Sequence, residues 1–122
     1  MLNLDTHILV FALTGQLRKT ERALLGSSRW GISAIVLWEL AKLAQLGRIE
    51  LDLDNDLVRR TLARVYRWPI TLEIAVASTR LDVRGDPADE LIAATSLVHR
   101  VPLITRDRNL RASRLVPVAP SR

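Results

Sequence analysis

The chain has 122 residues and a formal net charge of +5, from 18 Lys and Arg against 13 Asp and Glu. With no cysteine and two histidines, it excludes disulfide scaffolds, thiol nucleophiles, Cys-based zinc sites and His-rich metal sites. At 48% hydrophobic and 25% charged residues it has the composition of a folded domain, and its length argues for a single one over 1–122.

In chain order, Leu2-Asn3-Leu4 reads as a short strand, and Asn3 and Asp5 interrupt any signal-peptide layout. Thr6–Leu13 reads as a buried helix stopped by Gly15, with His7 packed within it. Arg18–Leu25 fits a second helix, ended by Gly26, and Trp30-Gly31-Ile32 a weak second strand. Ser33 can cap a helix over Ala34–Leu46 that Gly47 ends. The acidic stretch Glu50–Asp56 reads as a solvated loop and helix cap, and it lacks the glycine of an EF-hand loop.

Asp54–Arg67 fits an amphipathic helix with Leu57, Val58, Leu62, Val65 and Tyr66 on one side. Pro69–Leu72 is a third strand candidate, followed by a helix over Glu73–Leu81. Asp86 as N-cap and Pro87 at the first position begin a helix to about His99. Pro102–Thr105 is a fourth strand, and Leu115–Val118 a fifth, placed on an edge by Pro117. Trp30, Trp38 and Trp68 suit a core or dimer interface better than a base-stacking platform. No apolar stretch reaches membrane-spanning length, so the chain is expected to be cytoplasmic.

Short strands interleaved with helices predict an α/β sandwich around a short parallel sheet of four or five strands. Ligands of such sheets bind beyond the carboxyl ends of the strands, where the strand order reverses. Asp5 ends the first strand and Asp107 follows the fourth. Asp5 also suits a helix cap and Asp107 a turn. Glu39 shares a helix face with Ile35, Leu43 and Leu46. An unpaired carboxylate there is costly unless it shifts its pKa or finds a cation such as Lys42. Asp89, at the third helical position after Asp86, can serve the helix dipole or face inward with Ile92 and Ala93. Four inward acids would repel each other, and a hard divalent cation with oxygen ligands relieves that repulsion.

Leu4-Asp5-Thr6, Leu37-Trp38-Glu39-Leu40, the run Asp86-Pro87-Ala88-Asp89-Glu90-Leu91 and Thr105-Arg106-Asp107-Arg108 together resemble the PIN-domain nucleases. Among these they are most similar to the VapC-type toxins of bacterial toxin–antitoxin pairs. The resemblance runs from Leu2 to about Val118. It implies an α/β/α fold and cleavage of single-stranded RNA with Mg²⁺ or Mn²⁺. It maps the metal-binding and catalytic acids onto Asp5, Glu39, Asp89 and Asp107, with Asp86 a cap or supplementary ligand. Thr6 and Thr105 match hydroxyl positions that hydrogen-bond near the metal. It further implies homodimers and a small antitoxin whose tail blocks the acidic cleft.

Two other readings compete. A haloacid-dehalogenase-like phosphotransfer site needs a second Asp two residues after Asp5, where this chain has His7. A non-catalytic module that binds RNA or a partner is the stronger alternative. The charge distribution bears on both. Residues 99–122 carry six arginines and one acid, so the whole net charge lies there. A GC-rich genome would also enrich arginine, and 16 of the 18 bases are Arg. Arg106, Arg108 and Arg111, flanking Asp107, are candidate phosphate contacts that would offset an acidic site's repulsion of RNA.

Overall fold

The structure is a computed structural model that describes residues 1–120. Its elements in order are β1 (Leu2–Leu4), α1 (Thr6–Thr14), α2 (Lys19–Gly26), β2 (Trp30–Ser33), α3 (Ala34–Gln45), α4 (Asp56–Arg64), β3 (Tyr66–Trp68), α5 (Leu72–Ser78), α6 (Pro87–His99), β4 (Leu103–Ile104) and α7 (Arg108–Arg111). The four strands are all parallel, in the order β3-β2-β1-β4. This is the mixed α/β architecture expected from the alternation of strands and helices. Strand order reverses at β1, so the ligand crevice of such a sheet opens between β1 and β4.

The helix starts follow local chemistry. The Ser33 side chain accepts from Ile35 N, that of Asn55 from Leu57 N and Val58 N, and that of Thr71 from Ile74 N. Gly15 ends α1 in the left-handed region, where a glycine carries no Cβ penalty. β1 is buried throughout, and α6 packs Ile92, Ala93 and Ala94 inward. Asn3, buried in β1, donates to Ile92 O at 3.0 Å and Ser96 Oγ at 2.9 Å, which fixes α6 on the sheet.

Three expectations are corrected. The amphipathic helix ends at Arg64 rather than Arg67, and Tyr66–Trp68 forms the third strand. Pro69–Leu72 is not a strand, because Pro69 has no N–H for a ladder and Thr71 is occupied in capping α5. Leu115–Val118 contributes only one bridge, Val118 to Leu103. There Pro117 can accept from Leu103 N, at 2.8 Å, but cannot donate.

The helix-to-strand change depends on a glycine. A Cβ at Gly31 would stand 2.4 Å from the Trp68 ring, which is buried and stacked on His99. Gly31→Ala is therefore expected to destabilise the protein by about 1–3 kcal/mol through overpacking. Urea denaturation followed by tryptophan fluorescence measures this; wild-type stability would show that Trp68 yields freely.

Candidate active-site cleft

The register of β1 against β4 aligns Leu4 with Ile104, so the next residues, Asp5 and Thr105, meet at the carboxyl edge. Thr105 Oγ1 donates to Asp5 Oδ2 at 2.6 Å, and Thr6 N donates to Asp5 Oδ1 at 2.8 Å. Both oxygens of this buried carboxylate are thereby oriented. α3 leaves the neighbouring strand β2 and carries Glu39, half-buried, to the same edge, where Thr6 Oγ1 donates to Glu39 Oε1. Lys42, the available local partner, instead donates to Gln45. Glu39 thus faces the cleft rather than a cation.

Asp86 occupies the N-cap position of α6, but its side chain makes no capping bond. Its carboxylate and that of Asp89 line the cleft with Asp5, Glu39 and Asp107. Asp107 serves two ends at once: its Oδ1 accepts from Asn109 N at 2.8 Å and Leu110 N at 3.1 Å, capping α7. The turn expected at Asp107 is therefore the start of this short helix. Asn109 also donates to Arg84 O, tying α7 to the loop that leads into α6. The cleft has a volume of about 1030 Å³.

Electrostatics follow from this crowding. Burial pushes the Asp5 carboxyl up, partly offset by its bonds from Thr105 and Thr6. Burial also raises Glu39, against the bond from Thr6, with Asp5 and Asp86 adding repulsion. Asp89 is pushed up to about 7 by burial, then by the charges of Asp5, Glu39, Asp107 and Asp86. Like charges do not close up unaided, and among the described residues no three His, Asp or Glu side chains are already gathered to hold a metal ion.

The sequence model of the PIN domain matches residues 3–114. The chain belongs to the PIN domain family. This PIN domain is 36% identical over 97 residues to Ribonuclease VapC22 of Mycobacterium tuberculosis, covering 77% of this chain and 75% of that one. It superposes on a toxin–antitoxin complex from Klebsiella pneumoniae with a TM-score of 0.75 and 25% identity, over 99% of this chain and 98% of that one. FitAcB from Neisseria gonorrhoeae shares the fold, with a TM-score of 0.68 at 23% identity, over 98% of this chain and 97% of that one.

In this PIN domain the three expected phosphate arginines stand differently. Arg106 lines the cleft, but its Nε and Nη2 donate to the two Glu21 oxygens at 2.8 and 2.7 Å. Arg111 Nη1 donates to Thr105 O at 3.3 Å and Ala119 O at 3.1 Å, bracing the backbone. Arg108 is exposed and outside the cleft lining. Two lining residues escaped sequence reasoning. His7 is exposed in the cleft rather than packed, because its side of α1 faces the opening and not the core. Arg48, just after the left-handed Gly47, is also exposed there.

The raised acids of the PIN domain set a pH dependence. A group whose folded pKa is raised contributes stability that is full at low pH and lost as pH rises through the folded value. For Asp89 that window runs from its ordinary 3.8 to about 7. In EDTA the protein is expected to melt lower at about pH 8 than at about pH 5.5, and Asp89→Asn to shrink that difference. Thermal melts of both proteins at both pH values measure it. An unchanged difference would mean that Asp89 does not carry the strain.

Proposed function

We propose that residues 1–122 form one nuclease domain, an endoribonuclease that cuts single-stranded RNA with Mg²⁺ or Mn²⁺. Its setting would be the cytoplasm, as the toxin of a type II toxin–antitoxin pair. The observation that carries this reading is that Asp5, Glu39, Asp89 and Asp107 all line one cleft at the switch point of a PIN-domain sheet. The kinship with Ribonuclease VapC22 and the likeness to a toxin–antitoxin complex support it. A homodimer and a small antitoxin that occludes the acidic cleft belong to the same proposal.

The donor set fits a hard divalent cation. It consists of carboxylate oxygens held above their ordinary pKa values by burial and mutual repulsion, as in Asp5, Glu39 and Asp89. Asp5, Glu39 and Asp89 would hold the ion, with Asp107 closing the site through the oxygen not used in capping, and Asp86 supplementary. When bound, such an ion lowers the pKa of water and stabilises charge developing at phosphorus. The chain's own residues do the rest. Thr105 and Thr6 fix the orientation of Asp5 and Glu39. One carboxylate of the group takes the proton of the attacking water. Phosphate contacts fall first to the exposed Arg48 and Arg108, with Arg106 and Arg111 stiffening the frame.

The test is incubation of the purified, metal-stripped protein with single-stranded RNA, with Mg²⁺ or Mn²⁺ and with EDTA. Cleavage only in the metal arms is expected. Equal cleavage in EDTA contradicts metal dependence, and binding without cleavage in every arm would favour the non-catalytic module.

A further inference from the structure

One wall of the cleft is the face of α1 that begins two residues after Asp5. His7 lies exposed on it, and Phe11 follows one helical turn later, half-buried. Their ring centroids are 6.4 Å apart, with the planes inclined by 43°. The Arg106 guanidinium lies 4.0 Å over the Phe11 ring, and Glu21 fixes that guanidinium from behind through two hydrogen bonds. Phe11 therefore has one face covered and little freedom, and the exposed His7 ring stands beside it, one turn nearer the carboxylates. His7 and Phe11 are the aromatic side chains lining the cleft; the exposed Trp38 is not among its walls.

The carboxylates sit at the N-terminal end of α1, so the two rings lie along a line leading away from them. The helix rise separates them by about 6 Å along the axis. Single-stranded RNA presents unpaired bases, and every base has a face that stacks on an aromatic ring or a guanidinium. An aromatic ring left in water beside a phosphate-cleaving centre suits that partner better than it suits the core.

We propose that His7, backed by the Phe11–Arg106–Glu21 stack, is a nucleobase subsite that stacks a base of the RNA strand beside the phosphate held at the carboxylates. The inference rests on the nuclease reading above. Because stacking tolerates any base, the subsite supplies affinity and strand direction more than sequence choice.

The test measures anisotropy of a labelled single-stranded oligoribonucleotide on the cleavage-silent Asp5→Asn protein. His7→Ala is expected to weaken binding about tenfold, the scale of one lost base–aromatic stack, and His7→Phe to restore it. Strands with a single abasic site, walked along the sequence, should include one that both proteins bind alike. Equal binding of the intact strand with and without His7→Ala overturns the subsite. So does a His7→Phe protein as weak as His7→Ala, which would assign His7 to charge or proton chemistry instead. Cleavage by the otherwise wild-type chain with Mn²⁺ separates the two ideas. If it cuts RNA while His7→Ala leaves binding unchanged, the subsite alone falls; if it neither binds nor cuts, both readings fall. Melting curves confirm that the exposed position leaves folding intact.

Discussion

Asp5→Asn is expected to lower RNA cleavage by at least about 100-fold while leaving the fold intact. Losing a group that merely supports a metal ligand costs about 10–100-fold, so losing a ligand charge should cost more. Asp5 is 6% exposed and accepts from Thr6 N and Thr105 Oγ1. Asparagine keeps the shape, keeps one oxygen for Thr6 N, and turns an amide toward Thr105. It removes a buried charge that repels Glu39 and Asp89. In EDTA the variant should therefore melt no lower than the wild type. Steady-state cleavage and thermal melts together check this; full activity in the variant would remove Asp5 from the mechanism.

The second large effect is structural. Arg106→Ala is expected to cost about 3 kcal/mol at neutral pH, because it leaves Glu21 buried without its partner. Glu21 is 4% exposed, and its two oxygens take both Arg106 contacts. The Arg106 guanidinium holds the Glu21 carboxyl below its ordinary value of 4.5. A lowered folded pKa contributes stability above the unfolded value and loses it as pH falls through the folded value. The gap between wild type and variant should thus be widest near neutrality and close in acid. Arg106→Lys should recover only part, since an ammonium lacks the two-pronged fit.

Arg106 also lies between Thr105, which orients Asp5, and Asp107, so cleavage should fall with it. The salt dependence of RNA binding decides its role. Losing a phosphate contact would lower the slope by about 1, whereas losing a brace leaves it unchanged. An unchanged slope is expected. Urea denaturation across pH and RNA titrations across salt supply both readings.

What sequence could reveal depended on whether the signal was local. α1 and α3 carry their own side-chain caps and α6 its Pro87 start, and with the apolar β1 they lie where expected within a residue or two. Asp5, Glu39, Asp89 and Asp107 each had an ordinary local explanation as cap, turn or ion pair, so their placement at strand ends and on an apolar helix face drew attention only as a set; all four line the cleft. The exchange of Tyr66 and Arg67 from helix to strand was not legible. It depends on pairing with β2 and on the space at Gly31 that admits Trp68, neither of which is local. His7 misled for a related reason: apolar neighbours in sequence describe a core, but α1 is buried on one side and walls a cleft on the other. Arg106 was read by its sequence neighbour Asp107, whereas its partner Glu21 lies 85 residues away.

The proposed cleavage requires the four carboxylates to take up a divalent cation where β1 and β4 part. Crystals of the protein soaked in Mn²⁺ and measured at the manganese absorption edge test it most directly. The predicted result is an anomalous peak bound by Asp5, Glu39 and Asp89 that vanishes in Asp5→Asn. A saturating soak that leaves these carboxylates without a peak, or that places manganese only elsewhere, would contradict it.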